Sequence, residues 1–543
     1  MKTKTLKARH GSHCAGAGRL TATLLLAAGM QALAASSPRA AAEKTETTDS
    51  AITTAVEGGF KMDKGILPND LDVSTSQGIV SLSGSVDNIL ARDRAIMAAD
   101  SIKGVRGVID RITVTPASRS DEEIRKDIQS ALKQDPATES YKTAVAVQEG
   151  TVTLTGSAGS YAEKQLAARI ASGIKGVKAV TNEVVINYLA PRTDAEIAAD
   201  VKERLQWDVW INGGTVKSEV KDGKVTLAGS IGNALSKSRA FDDAWVNGTV
   251  SVDDDGLKVE PLAAGDTRKQ SEYDATSDGD IQKAVEASLH LDPRVSAFSP
   301  NVTVEGGVVM LGGSVGNLKA KTAAAQDANN VMGVSMVKNF LKVRPRQKPT
   351  DTEMQTALKA ALLWDPLLDS STINVAVINR TAYLSGGVES GFQKSETQDV
   401  ASKITGVVEV RNHLKIEPAF EIADYDDYGY PYYDNGFYDD YGYNRYYNWP
   451  YYYNGAPSYY HAASFGPQPY KSDAQIKKSI EDRFFWSPFV DRGDVKVSMD
   501  GGVATLTGNV GTWIGYGEAD NDARKGGATA VLNRITVSKG HWW

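Results

Sequence analysis

Aspartate standing just before a helix stop is the first pattern in this chain that invites a chemical reading. It occurs as Asp63, Asp135, Asp208, Asp292 and Asp365, with Ser487 at a sixth equivalent place, and proline follows directly at Pro136, Pro293, Pro366 and Pro488. Hydrolysis by paired carboxylates needs two acids in distinct environments, and no copy carries a distinctive second acid. Asp-Pro is also ordinary turn chemistry, in which the carboxylate bonds nearby backbone. Histidine offers little more: His290, His413, His461 and His541 are isolated and occupy different positions in their surroundings. Zinc wants three or four nitrogen or sulfur ligands at short spacing, and a nucleophilic triad wants an activated hydroxyl or thiol beside a base. Neither is visible, so the expectation is no catalytic residue, no metal and no cofactor. Asp424, Asp426, Asp427, Asp439 and Asp440 cluster, but without the spacing of a calcium loop.

Residues suited to binding are more numerous. Gly84, Gly156, Gly229, Gly313, Gly386 and Gly508 each close a strand-like stretch such as "TVTLTGS". A glycine-rich turn can present amides to an anion, yet a strand exit with an unusual backbone angle explains glycine equally well. Arg92, Arg94 and Lys103, and in the next copy Lys164, Arg169 and Lys175, lie on or just after a helical stretch and would suit lipid phosphates, although Asp87, Asp93 and Glu163 dilute them. Trp207, Trp364 and Trp486 stand directly before the helix stop, where the other copies have Met62, Gln134 and Leu291. An indole there would either anchor at a membrane interface or cap the core at the end of the helix.

What must position these groups is a repeat. Successive marker glycines are 72, 73, 84, 73 and 122 residues apart, which a unit of about 73 residues with two insertions explains. Each stop lies 21 residues before its glycine. Upstream runs an apolar ladder spaced by four: Ile52/Val56/Phe60, Ile124/Ile128/Leu132, Ile197/Val201/Leu205, Ile281/Val285/Leu289, Met354/Leu358/Leu362 and Ile476/Ile480/Phe484. That spacing places three side chains on one helical face. Capping boxes open four of these helices, at Ser120/Glu123, Thr193/Glu196, Thr350/Glu353 and Ser472/Gln475. Between helix and marker, alternating runs joined by turns such as "QEG" predict a β-hairpin. A second helix follows, closed by a glycine (Gly104, Gly248, Gly333, Gly406), and then a last strand such as "NEVVINY". The unit is helix-strand-strand-helix-strand, and the fold class is α+β: six tandem two-layer domains, each a three-stranded sheet covered by two helices. Their expected bounds are 48–115, 120–188, 193–260, 277–343, 350–417 and 472–538, with linkers at 261–276 and 423–470.

The rest of the chain bounds the setting. Lys2, Lys4, Lys7, Arg9 and Arg19 precede the apolar stretch Leu20 to Leu33, and "ALA" at 32–34 is a small-residue cleavage site before Ala35, as in a secretory signal peptide over 1–34. The apolar stretch is too short to span a bilayer, which takes about 20 residues. Cleavage would remove Cys14, the only cysteine, and take the formal charge from −7 to about −12, a poor balance for generic nucleic-acid binding. Of the 22 tyrosines, 16 fall between Tyr425 and Tyr470. Few aliphatic residues accompany them, so a packed core is not expected there, whereas contact with a protein or surface is.

With "TVTLTGS", the aspartate-proline stop, the "GV" turn and the closing "NEVVI" in fixed register, the repeat resembles the BON family, small domains of bacterial envelope proteins. The resemblance covers nearly all of 48–538 outside the insertions; copy six departs most, with Ser487 at the stop and "KGGATAV" at the turn. It implies a periplasmic, non-enzymatic role in maintaining the envelope under osmotic or related stress, with phospholipid surfaces or periplasmic and outer-membrane proteins as partners. Repetition would turn a weak contact into avidity. The alternatives are a periplasmic chaperone or assembly scaffold, which the acidic charge favours, and an envelope hydrolase.

Overall fold

The computed structural model describes residues 47–416 and 472–537, apart from 64, 67–70, 139–141, 189, 212–214, 261–276, 297, 491 and 529. The apolar stretch near the N-terminus, the 261–276 linker and the Tyr-rich 423–470 segment lie outside the described residues.

Domain two shows how the sequence builds the unit. Its first helix, Asp121–Gln134, opens on a complete capping box between Ser120 and Glu123, which satisfies backbone donors that a helix start leaves free. Ile124, Ile128 and Leu132 form its buried stripe. Strands Lys142–Gln148 and Thr151–Ala158 pair antiparallel, with Val145 opposite Leu154. The second helix, Tyr161–Ser172, crosses over the sheet, and Ala179–Asn182 then returns parallel to the central strand. The sheet order is therefore first, second, third strand, with the marker strand in the middle, and the same order recurs in the other domains. One layer of helices packs on one layer of sheet. All three remaining capping boxes are present, and the ladder residues are buried, Leu205 partly.

Three details depart from the simple unit. In domains two, four and five the last strand divides in two, as at Ala179–Asn182 and Val185–Ile186. The break follows an asparagine whose amide bonds the second helix: Asn182 Nδ2 donates to the Lys164 carbonyl at 2.8 Å, and Asn339 and Asn412 do the same to Lys321 and Lys394. A short helix, Pro293–Ser296, follows the stop of domain four. Copy six keeps the expected turn despite its different sequence, since Gly527 adopts φ 113° where its counterparts Gly104 and Gly176 adopt 94° and 96°.

Each hairpin turns through two residues of positive φ, as in Glu149 and Gly150 at 50° and 76°, the geometry of a tight turn matched to strand twist. An aspartate at the first position of the first helix holds that turn. Asp121 accepts from the Glu149 and Gly150 amides at 2.8 and 2.9 Å. Asp49, Asp194, Asp278, Asp351 and Asp473 make the same pair of bonds. The carboxylate also lies at the positive end of the helix dipole. Asp121→Ala is expected to lower the stability of domain two by roughly 1.5 to 3 kcal/mol, the range for hydrogen bonds to a charged group. Amide exchange of the Glu149–Gly150 turn should rise first, and unchanged exchange there would dispose of the clamp.

Candidate functional site

The stop aspartates do turn chemistry. Gly65, Ala137, Trp210, Arg294 and Leu367 each donate their amide to the aspartate carboxylate two residues back, at 2.6–2.9 Å. Ser487 replaces it with its hydroxyl, accepting from Phe489 at 3.3 Å. These turns shape a face that other domains meet.

Junctions between domains form at that face, in three pairs. The Lys103 amide of domain one donates to the Trp486 carbonyl of domain six at 2.9 Å. Lys175 of domain two donates to Trp364 of domain five at 2.7 Å, and Met332 of domain four to Trp207 of domain three at 2.9 Å. In each case the residue before the turn glycine meets the residue before the stop. The two-five pair is reciprocal, because Thr405 Oγ1 donates to the Gln134 carbonyl at 2.8 Å. In the three-four pair the Val209 amide donates to the Asn330 carbonyl at 3.0 Å, and Trp210 Nε1 to Asn330 Oδ1 at 2.9 Å. Partners are thus one with six, two with five and three with four, so neighbours in sequence are paired only once.

The second helices and the turns after the helix stops bring these pairs together. Tyr161 stacks on Trp245 at 4.1 Å, joining domains two and three, and Trp210 meets Phe489 edge-on at 4.9 Å, joining three and six. Met97, Trp210, Leu235 and Ile514 form a small apolar cluster from domains one, three and six. Between domains four and five, Lys319 Nζ lies 2.6 Å from Asp399, and Lys403 lies 3.0 Å from the same carboxylate. Burial alone would raise Asp399, but the two ammonium groups outweigh it and hold the carboxyl at about 2. Glu396 beside them is pushed well above the usual range by burial and by Asp365.

A cleft of 1290 Å³ opens between domains one to five. Its walls combine apolar groups, among them Ile89, Leu90, Phe241 and Trp364, with Arg169, Lys319 and Lys403 and the acids Asp135, Asp365 and Glu396. Such a surface offers shape and mixed charge for non-covalent binding. Among the described residues no group of three or more His, Cys, Asp or Glu is placed to hold a metal ion, and no helix is long and apolar enough to cross a membrane.

The residues singled out in the sequence fall into these features. Trp207, Trp364 and Trp486 are partly buried, each against the core of its partner domain: four, two and one respectively. They cap a core, but another domain's. Arg94 is buried with Nε 2.6 Å from Asp63, and its guanidinium stands 5.1 Å from the Phe392 ring of domain five. Arg92 pairs with Asp93 at 2.8 Å. Lys103 places its ammonium 5.5 Å from the Phe485 ring; Lys175 joins its junction through the backbone. Arg169 lines the cleft, and the Lys164 side chain is half-buried. The six marker glycines all have positive φ, from 101° at Gly313 to 133° at Gly508. They are strand-crossing points. Residue type and spacing did not single out Thr405, Asn330 or the first-turn aspartates; only the constant register of the aspartates could have pointed to them.

Fold and junctions define a class: a tandem array of small α+β domains assembled through one recurrent face. The chain belongs to the BON domain family, which matches at residues 48–116, 120–188, 193–261, 277–345, 350–418 and 472–539. Among its relatives, the osmotically-inducible protein Y of Escherichia coli K12 is 31% identical over 143 residues, 25% of this chain and 71% of that one. The outer membrane lipoprotein DolP of Haemophilus influenzae is 33% identical over 143 residues, with the same coverage. Among solved structures, CdsD, a structural protein of the type III secretion system of Chlamydia trachomatis, matches at 15% identity and a TM-score of 0.11, over 38% of this chain and 92% of that one. The periplasmic domain of the inner membrane protein PrgH of S. typhimurium matches at 12% and 0.11, over 35% and 99%.

Proposed function

We propose that this is a non-enzymatic periplasmic protein that supports the cell envelope under osmotic or related stress by holding envelope components together, as an assembly scaffold. The observation that carries the reading is the recurrent junction: Trp207, Trp364 and Trp486 join the six domains into three pairs, which ring and ion-pair contacts draw together into one body. An assembled body presents extended surfaces and a mixed-charge cleft, which suit non-covalent contact with proteins. An outer membrane lipoprotein and an osmotically-inducible protein among the relatives agree with the compartment and the stress. The Tyr-rich 423–470 segment supplies a further contact.

Phospholipid binding by avidity is the second reading, favoured by the half-buried Lys164 and by Arg169 in the cleft wall. Flotation of residues 35–543 with zwitterionic and anionic liposomes over a salt series, beside a chain lacking 423–470, separates the two. The scaffold reading expects no flotation with either lipid. Salt-sensitive flotation with anionic lipid alone would replace it with the membrane-surface reading, because screening weakens attraction between exposed charges.

A further inference from the structure

We infer that the helix-stop face is a domain-to-domain docking surface whose partner choice is set by the residue before the stop, and that it fits a second BON-type domain lacking tryptophan there. Domains three, five and six carry Trp207, Trp364 and Trp486, and domains four, two and one carry Leu291, Gln134 and Met62. Each tryptophan domain is paired with one of the others: three with four, five with two, six with one. No pair brings two tryptophans together, and none lacks one.

Physical reasons for this matching lie in the junction. An indole is large enough to pack on the partner's core while its own carbonyl accepts the partner's turn amide. Large aromatic side chains dominate interface energetics through the area they bury. The reciprocal place has to stay small or flexible, since overfilling a packed contact costs about 1 to 3 kcal/mol. Gln134 meets that need: it lines the cleft beside Thr405 with an unbranched side chain, and its carbonyl accepts from the Thr405 hydroxyl. Connectivity does not decide the pairing. The same junction forms between neighbours three and four and between domains separated by two or four others. The surface therefore recognises the domain and not the chain leading to it. Three tryptophan domains matched to three without leave the chain saturated through this face.

Amide hydrogen exchange of the full chain tests the inference, because the Lys175 and Met332 amides donate across their junctions. Trp364→Gln should speed Lys175 exchange by about tenfold or more, local opening being what exchange reports. Gln134→Trp should do the same by crowding the face. The double variant Q134W/W364Q should return Lys175 to within about threefold of the parent, since the large and small partners have merely changed sides. Met332 should hold its protection in all three, which shows that the three-four junction remains intact, and unchanged exchange in the paired strands of domains two and five shows that those domains remain folded. Lys175 protection unmoved by W364Q, or a double variant as open as the singles, would overturn the inference. Loss at Met332 together with Lys175 would overturn it too, because the junctions would then not be separate docking events.

Discussion

Replacing Gly156 with alanine is expected to destabilise domain two by about 3 kcal/mol or more, whereas the same change at Gly313 costs domain four only about 1 to 2 kcal/mol. Both glycines mark the strand crossing, at φ 125° and 101°, a region that side chains rarely enter. What differs is the space around them. A Cβ on Gly156 would collide with the Lys142 carbonyl oxygen of the paired strand. At Gly313 the nearest atom is Pro300 Cα at 3.6 Å, ordinary contact. The backbone around Gly156 has to move, and it is held to Thr143 of the first strand, with the third strand paired to either side of it at Leu154 and Ser157. Gly313 lies where its strand is already interrupted, between Val308–Gly312 and Ser314–Val315. Urea unfolding followed by exchange in each domain's strands compares the two; equal losses would show that the backbone angle alone makes these positions glycine.

Raising the pH from about 5 to about 8 is expected to weaken domains one and six, and Asp100→Asn or Glu518→Gln to remove part of that loss. Burial pushes Asp100 up to about 7. Burial, with Asp522 beside it, pushes Glu518 to about 7, against the opposing charge of Lys525. Both lie above the ordinary carboxylate range, so the folded protein holds these protons to a higher pH than the unfolded chain does. The destabilisation is absent below the unfolded values and grows as pH rises through about 7, where the folded carboxyls must ionise in poorly solvated surroundings. At full development each would amount to roughly 1 to 3 kcal/mol, because every tenfold difference in proton affinity between the folded and unfolded chain is worth about 1.4 kcal/mol and residual solvent contact reduces the total. Unfolding midpoints of parent, D100N and E518Q across this range give the measurement. Parallel pH profiles in all three would mean that neither group carries the dependence. Arg483, Lys525 and Asp63 face the same 480 Å³ pocket between domains one, three and six as Glu518, so the effect should be read at the one-six junction, by exchange of the Lys103 amide.

Little of this site could be foreseen from the residues one at a time. Cations read as lipid contacts include Arg94, which is buried against Asp63, and the two states have the same sequence signature: an arginine on a helix. Which it adopts depends on whether another domain covers that helix. The tryptophans carried a clearer signal. Their presence in three copies and absence in the other three was visible, but its meaning required knowing which copies meet.

The sequence by itself determined the unit: its helices, hairpin, turn glycines, caps and buried ladder, and their recurrence six times. Each depends on residues within one copy, on side-chain periodicity and on the backbone angles glycine permits. Only the tertiary structure decided the pairing of one with six, two with five and three with four, and with it the burial of the tryptophans against foreign cores. Six homologous faces offer many combinations of similar local chemistry. The choice among them rests on the fit of one large and one smaller side chain brought together across long stretches of chain, which no local spacing encodes.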